Sequence, residues 1–316
     1  MKIIEFDQVI HSLSMHDAIS VMDNCFKDYQ RGLFSQPERL VELLPDGQNS
    51  LFAMMPAYLG KERVFGSKVI TSFPKNIGTE FSSHMGHILL FDSAYGQPVA
   101  LIDANAITAI RTAAVSGLST NYLAKKDAST LAIIGAGQQA YSHLDAMMAV
   151  RKLQEVRIFD LNPEQIKKFI TTMRTKYPEI DFVSGHSIQE TVFEADIICT
   201  LTPSKEAFLK AEWIASGAHI NAIGTFTPTT REITSELMAI SKIYVDDYRA
   251  ISKESGDYLI PLQEGILTED SLFSSLGELV SGLKEARTNE QEITLFDGVG
   301  LAIEDICCAE YILNQM

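Results

Sequence analysis

The chain has 316 residues, a length that suits two domains or one domain with a large subdomain. At 46% hydrophobic and 21% charged residues it has ample material for buried cores. The net charge of −15 repels a phosphate backbone, which excludes bulk nucleic-acid binding and leaves any anionic ligand dependent on local cations. No apolar run approaches the roughly eighteen residues of a membrane span. The opening MKIIEFDQVIHSLS is broken by Glu5, Asp7 and His11 and does not read as a signal peptide. Cys25, Cys199, Cys307 and Cys308 show no CxxC spacing and read as reduced, structural thiols of a cytoplasmic protein.

The first predicted element is a helix in MHDAISVMDNCFKDYQRG, followed by short strands. RVFGSKVITSF reads as a strand, and GHILLFDSAYGQPVALID as a hairpin turned at SAYGQ. ANAITAIRTAAVSGLSTNYLAKK reads as a helix rich in Ala, Ser, Thr and Gly, whose small side chains let another backbone approach, so it is expected to be buried. From TLAIIG onward strands and helices alternate. The helix from Gln138 to Leu153 precedes EVRIFD, and Asn162 then caps a helix with Pro163 at its first position. IDFVSG, ADIICTLT, AHINAIG and KIYVDD are further strands, so the second part is expected to hold a parallel sheet covered on both faces. The whole of TLFDGVG through LAIEDICCAEYILNQM is read as one closing helix that folds back onto the first domain.

The stretch IIGAGQQA carries the GxGxxA form of a dinucleotide-binding turn. It follows an apolar strand, opens a helix, and precedes a second strand ending in Asp160, 25 residues after Gly135. Gly135 permits the turn, Gly137 lets a pyrophosphate approach the backbone, and the small Ala140 allows close helix–strand packing. The helix N-terminus offers free N–H groups to phosphate. Asp160 would accept from the ribose hydroxyls and repel a 2′-phosphate, so NADH is preferred, with NADPH possible. Thr200, at the end of ADIICT, is placed near the same crevice.

Two cations stand out. Lys68 lies inside a strand whose same-face neighbours include Val64, Gly66 and Ile70, and Arg111 sits among small residues in the Ala-rich helix. A cation in either place is costly unless an anion meets it. Arg39 in PERLVE reads, taken alone, as a surface charge. No Ser-His-Asp order or metal-spaced histidine cluster is present, and of the seven histidines His84 and His87 are the two worth keeping.

Along nearly its whole length the chain resembles the ornithine cyclodeaminase/mu-crystallin family, in PERLV, GSKVI, SSHMGHILLFD, GQPVALID, TAIRTAAVSGLST, IIGAGQQA, NAIGTFTPTTREI, IYVDDY, ESGD and TLFDGVGLAIED. The resemblance implies a homodimer. It implies a substrate-binding and dimerisation domain of α+β type over 1–125, joined by a C-terminal helix over 296–316. An NAD(P)-binding Rossmann domain, a doubly wound parallel sheet, is implied over 126–295. Arg39, Lys68 and Arg111 match positions that hold a substrate carboxylate in similar proteins. Ser83, His84, Thr112, Gly137, Gln138, Gln139, Asp160 and Thr200 match cofactor contacts.

One departure is informative. Cyclodeaminases of the family carry an acid two residues after the glycine of NAIG, and here Phe226 stands in its place. Phenylalanine cannot shuttle a proton, so no residue is assigned as a catalytic acid. The resemblance then implies an NAD(P)H-dependent ketimine reductase acting on a small imino or amino acid. Δ1-pyrroline-2-carboxylate, reduced to L-proline, is the leading substrate. An alanine-dehydrogenase-type oxidoreductase, an ornithine cyclodeaminase and a mu-crystallin-like binding protein are the alternatives.

Overall fold

The structure is a computed structural model that describes residues 1–76 and 78–316. It divides into two compact units, Met1–Arg111 with Leu301–Met316, and Thr112–Gly300.

The first unit is built on a six-stranded sheet. Its strands are β1 (Lys2–Ile4), β2 (Leu40–Leu43), β3 (Leu51–Tyr58), β4 (Val64–Ser72), β5 (His84–Asp92) and β6 (Pro98–Asp103), in the order β1-β6-β5-β4-β3-β2. All neighbours are antiparallel except β1 and β6. The expected hairpin is β5–β6, and Asp92 closes its turn by accepting from the amides of Ala94, Tyr95 and Gln97. β3 had no counterpart in the sequence reading. Its Ala53, Met55 and Ala57 face inward in alternation, and small or unbranched residues with a central Pro56 give a weak strand signal.

Helices α1 (Phe6–Ser12) and α2 (Met15–Gln30) precede the antiparallel strands. Ser14 caps α2 by accepting from the Asp17 amide, and Ala18, Met22, Cys25 and Phe26 form its buried stripe. The C-terminal helix, Ala302–Gln315, packs on α2 and on β3, β4 and β5. Every residue from Ala302 to Glu310 is buried, acids included.

The closing segment corrects the sequence reading. Thr294–Asp297 is a strand, and the helix begins only at Ala302. Thr294, Leu295, Phe296 and Asp297 are all buried, as a central parallel strand requires, and Gly298 and Gly300 break the chain before the helix.

The second unit is an eight-stranded sheet in which every pair is parallel. Its strands are β7 (Thr130–Ile134), β8 (Glu155–Phe159), β9 (Asp181–Ser184), β10 (Ile197–Thr200), β11 (His219–Ala222), β12 (Lys242–Val245), β13 (Leu272–Ser275) and β14 (Thr294–Asp297). The order is β13-β12-β14-β11-β10-β7-β8-β9. From β7 the chain runs outward to β8 and β9, then returns to place β10 on the other side of β7. That reversal opens a crevice at the carboxyl ends of β7 and β10, the place where doubly wound sheets bind ligands.

Helix α3 (Ala104–Leu123) carries Arg111 at the end of the first unit and Thr112 at the start of the second. Its small polar residues are buried and used. Ser116 pairs with the His143 ring at 3.0 Å, Ser119 donates to Asn221 at 2.7 Å, and Asn221 donates to Thr120 at 2.9 Å. Helices α4 (Gln138–Val150) and α5 (Pro163–Lys176) follow β7 and β8. Asn162 caps α5 as expected, accepting from the Glu164 amide at 3.0 Å with Pro163 at the first helical position.

Candidate cofactor cradle and carboxylate-binding cluster

The glycine turn sits at the carboxyl end of β7. Gly135 has φ +102°, and a Cβ there would stand 2.9 Å from the Leu201 carbonyl oxygen, so the turn needs glycine on both counts. Gly137 is the N-cap of α4, has no side chain to cap the helix, and a Cβ built on it would meet nothing within 4 Å. The first-turn amides, at Gln138 and Gln139, thus face open space with the helix dipole behind them. Gln139 also holds a buried side-chain oxygen without a partner among the described residues. Asp160 follows β8 and accepts from the Ala136 amide and from the Asn162 amide, each at 2.7 Å. A carboxylate has room for further donors beyond these two. An uncapped helix, an open glycine and an adjacent half-buried acid fit a dinucleotide.

Thr200 does not belong to this set. It is fully buried, and its hydroxyl is taken up by Glu232 at 2.8 Å rather than turned to the crevice end. Strand β10 is central and buried along its whole length. Sequence reasoning missed the acceptor. Glu232 collects Thr200, the Thr202 amide and hydroxyl, and the Gly224 amide at 2.7 to 2.9 Å. Asp257 in turn holds the Glu232 and Ile233 amides and the Thr225 hydroxyl at 2.7 to 2.8 Å. Phe226, next to buried Thr225, is 51% exposed.

In the first unit Lys68 and Arg111 are 2% and 5% exposed, and each is met by acid. Lys68 faces inward because β4 buries Val64, Gly66 and Lys68 on one side, with Met55 and Ile88 beside it on the neighbouring strands. Its ammonium lies 2.7 Å from Asp305 Oδ2 and 3.5 Å from the Thr108 hydroxyl. Arg111 donates from Nε to Asp305 Oδ1 at 3.1 Å and from Nη1 to Glu304 Oε2 at 2.6 Å. Asp305 therefore bridges the two cations. Burial pushes Lys68 down to about 8, an effect that Asp305 offsets and Arg111 reinforces. Burial alone would lower Arg111, but Asp305 and Glu304 outweigh it and raise it.

Arg39 precedes β2 and is half-buried, and its charge acts on Lys68, which puts it within electrostatic reach of that ammonium. Glu304 and Asp305 went unremarked in the sequence. The signal was there: two adjacent acids inside LAIEDICCAEYIL, an otherwise apolar helix. Ser83 and His84 lie at the start of β5, where the Ser83 hydroxyl and His84 Nδ1 are 3.1 Å apart. His87 lies three residues on in the same strand, opposite Val69. Thr112 is half-buried on α3, directly after Arg111.

The sequence matches the family described as ornithine cyclodeaminase/mu-crystallin over residues 2–316. The chain belongs to the ornithine cyclodeaminase/mu-crystallin family. It is 38% identical to the ketimine reductase mu-crystallin of Mus musculus over 280 residues, 89% of this chain and 85% of that one. The Δ1-pyrroline-2-carboxylate reductase of Thermococcus litoralis, solved with NADH and L-proline, superposes with a TM-score of 0.96 at 35% identity, covering 100% of this chain and 97% of that one. An archaeal alanine dehydrogenase dimer with bound NAD gives 0.93 at 30% identity, covering 99% and 95%.

Proposed function

We propose that the chain is a nicotinamide-dependent oxidoreductase that reduces a cyclic ketimine carboxylate, with Δ1-pyrroline-2-carboxylate giving L-proline as the leading reaction. The observation that carries this reading is the buried pair Lys68 and Arg111, bridged by Asp305 with Glu304 on Arg111, on a chain that also has an uncapped GxGxxA helix. Similarity to the Thermococcus litoralis enzyme and to mu-crystallin supports it.

The roles follow from the donors left over. With Nε and Nη1 of Arg111 on acids, Nη2 can turn to a ligand, and Lys68 retains a proton beyond those directed at Asp305 and Thr108. A carboxylate taken by Lys68, Arg111 and Arg39 fixes the ring by one end, and that positioning carries much of the rate. The bound cofactor supplies hydride. A cyclic imine protonated in solution accepts it at carbon without a strong protein acid, which is compatible with Phe226 in the acid's place.

The α4 N-terminus with Gly137, Gln138 and Gln139 would hold the pyrophosphate, and Asp160 the adenosine ribose. The charge of Asp160 favours NADH over NADPH, since a 2′-phosphate would meet a carboxylate already held in place by two amides. A homodimer is supported by edge strand β2, whose four residues are all exposed, Leu40, Val41 and Leu43 among them. Four free, buried cysteines support a reducing compartment such as the cytoplasm.

The test is loss of the NADH absorbance with Δ1-pyrroline-2-carboxylate, followed by detection of L-proline, beside NADPH and beside ornithine with NAD. Rapid NADH oxidation with stoichiometric proline is expected. No oxidation with five- or six-membered cyclic imines, together with reduction of pyruvate plus ammonia, would overturn it.

A further inference from the structure

Asp305 has a geometry that a simple counter-ion does not need. Its two oxygens go to two different cations, Oδ2 to Lys68 at 2.7 Å and Oδ1 to Arg111 Nε at 3.1 Å, and it is fully buried. Glu304, the preceding residue on the C-terminal helix, takes Nη1 of the same guanidinium at 2.6 Å. Three fixed contacts thus hold the Arg111 plane and the Lys68 ammonium as one rigid piece. The further side-chain hydrogen bond of the pair among the described residues is a long one, from Lys68 to Thr108 at 3.5 Å.

We propose that Asp305 is the positioning residue that makes Lys68 and Arg111 a single carboxylate receptor, with Glu304 as the second anchor of Arg111. This rests on the reading that the two cations hold the substrate carboxylate. A carboxylate is planar with two oxygens about 2.2 Å apart, so the cations must present donors at matching separation and angle, and a mobile pair would lose most of its advantage. Asp305 also helps keep Lys68 charged where burial would discharge it. The charged groups acting on Lys68 are Asp305 and Arg111 most strongly, with Arg39 beside them and Glu304 next to Asp305 on the same helix. The flanking strands contribute Met55 and Ile88, which do not titrate.

The experiment compares wild type, Asp305→Asn, Asp305→Glu and Glu304→Gln in NADH-coupled imine reduction across pH 6 to 10, with NADH affinity measured by fluorescence. For Asp305→Asn the imine KM should rise about ten-fold or more, while NADH affinity stays within about two-fold. The alkaline limb of kcat/KM should move down by about one pH unit, because Lys68 loses the carboxylate that holds its proton. Asp305→Glu should keep the limb near wild type, since the charge is retained, and restore only part of KM, since the reach has changed. Glu304→Gln should raise KM several-fold and leave the limb in place.

If Asp305→Asn does not accumulate folded, Asp305→Glu carries the test alone, and an unchanged KM there overturns the proposal. An active wild type whose Asp305→Asn variant keeps both KM and limb also overturns it. A wild type that neither turns over the imine nor binds L-proline would instead remove the functional reading underneath, a result distinguishable because no variant is involved.

Discussion

The two units bury charge in opposite ways. In the first, Lys68 and Arg111 meet Asp305 and Glu304 directly, with Arg39 acting on the same group. In the second, Glu232 and Asp257 are equally buried but form no ion pair among the described residues, and seven amides and hydroxyls satisfy them. The acids of the second unit accept from amides and hydroxyls of that same unit, which makes them fasteners for the loops after β10 and β11. Lys68 and Arg111 in the first carry more N–H donors than their three contacts to acid occupy. Under the proposed function it is this surplus of donors, and not burial, that suits the first unit to a carboxylate.

The sharpest way to break this contrast is Arg111→Met. It removes the partner of two buried carboxylates, so the first unit should lose about 3–5 kcal/mol of stability and imine reduction should fall at least a hundred-fold. Chemical denaturation and steady-state kinetics check both. Near-normal turnover would mean that the surplus donors are not where substrate binds.

Glu232→Gln should do less and do it elsewhere. An amide nitrogen would confront donors that now point at a carboxylate oxygen, a cost of about 1–3 kcal/mol localised to β10, β11 and the following loops. Hydrogen exchange should show faster opening there while the first unit keeps its protection.

The two regions should also respond to pH in separate windows. Burial, with the neighbouring Asp257 adding to it, pushes Glu232 up to about 7, and burial pushes Asp257 up to about 6 despite its hydrogen bonds. Both lie above the ordinary values of 4.5 and 3.8, so the folded chain holds protons that the unfolded chain releases. Their contribution to stability is full below the ordinary values and is lost as pH rises to about 7, visible as a falling melting temperature. Lys68, lowered by burial to about 8, titrates later, and the imine KM should rise as pH passes that value. A single transition shared by melting and KM would erase the distinction.

The smallest effect is expected at Phe226. Because the ring is 51% exposed, Phe226→Asp should leave stability within about 0.5 kcal/mol of wild type. Any ammonia released from ornithine by that variant would measure how far one acid restores the cyclodeaminase pattern.

Much of this was legible in the sequence where a residue type has one physical use. Gly135 with Gly137, Asn162 before Pro163, and Lys68 in an apolar strand each announced their setting. What was hidden depended on partners distant in sequence. Thr200 looked like a ligand contact because its strand end is right, and only Glu232, 32 residues on, claims its hydroxyl. Thr294–Asp297 looked helical because four buried residues in a row carry no period, and length alone did not separate it from the helix that follows. Asp305 was invisible as a partner because the residues it serves lie far upstream.

That separation has a consequence for how the protein comes into being. The contact from Arg111 to Asp305 spans 194 residues, and the whole of Thr112–Gly300 is inserted into the first unit. As the chain leaves the ribosome, β4 and α3 emerge with their cations unpaired and must wait until the second unit has been made. The strands of the inserted unit pair with one another, so its sheet does not depend on the last helix. The order of synthesis thus makes the last helix a latch, and a chain stopped at Gly300 would leave the first unit's buried cations without their acids.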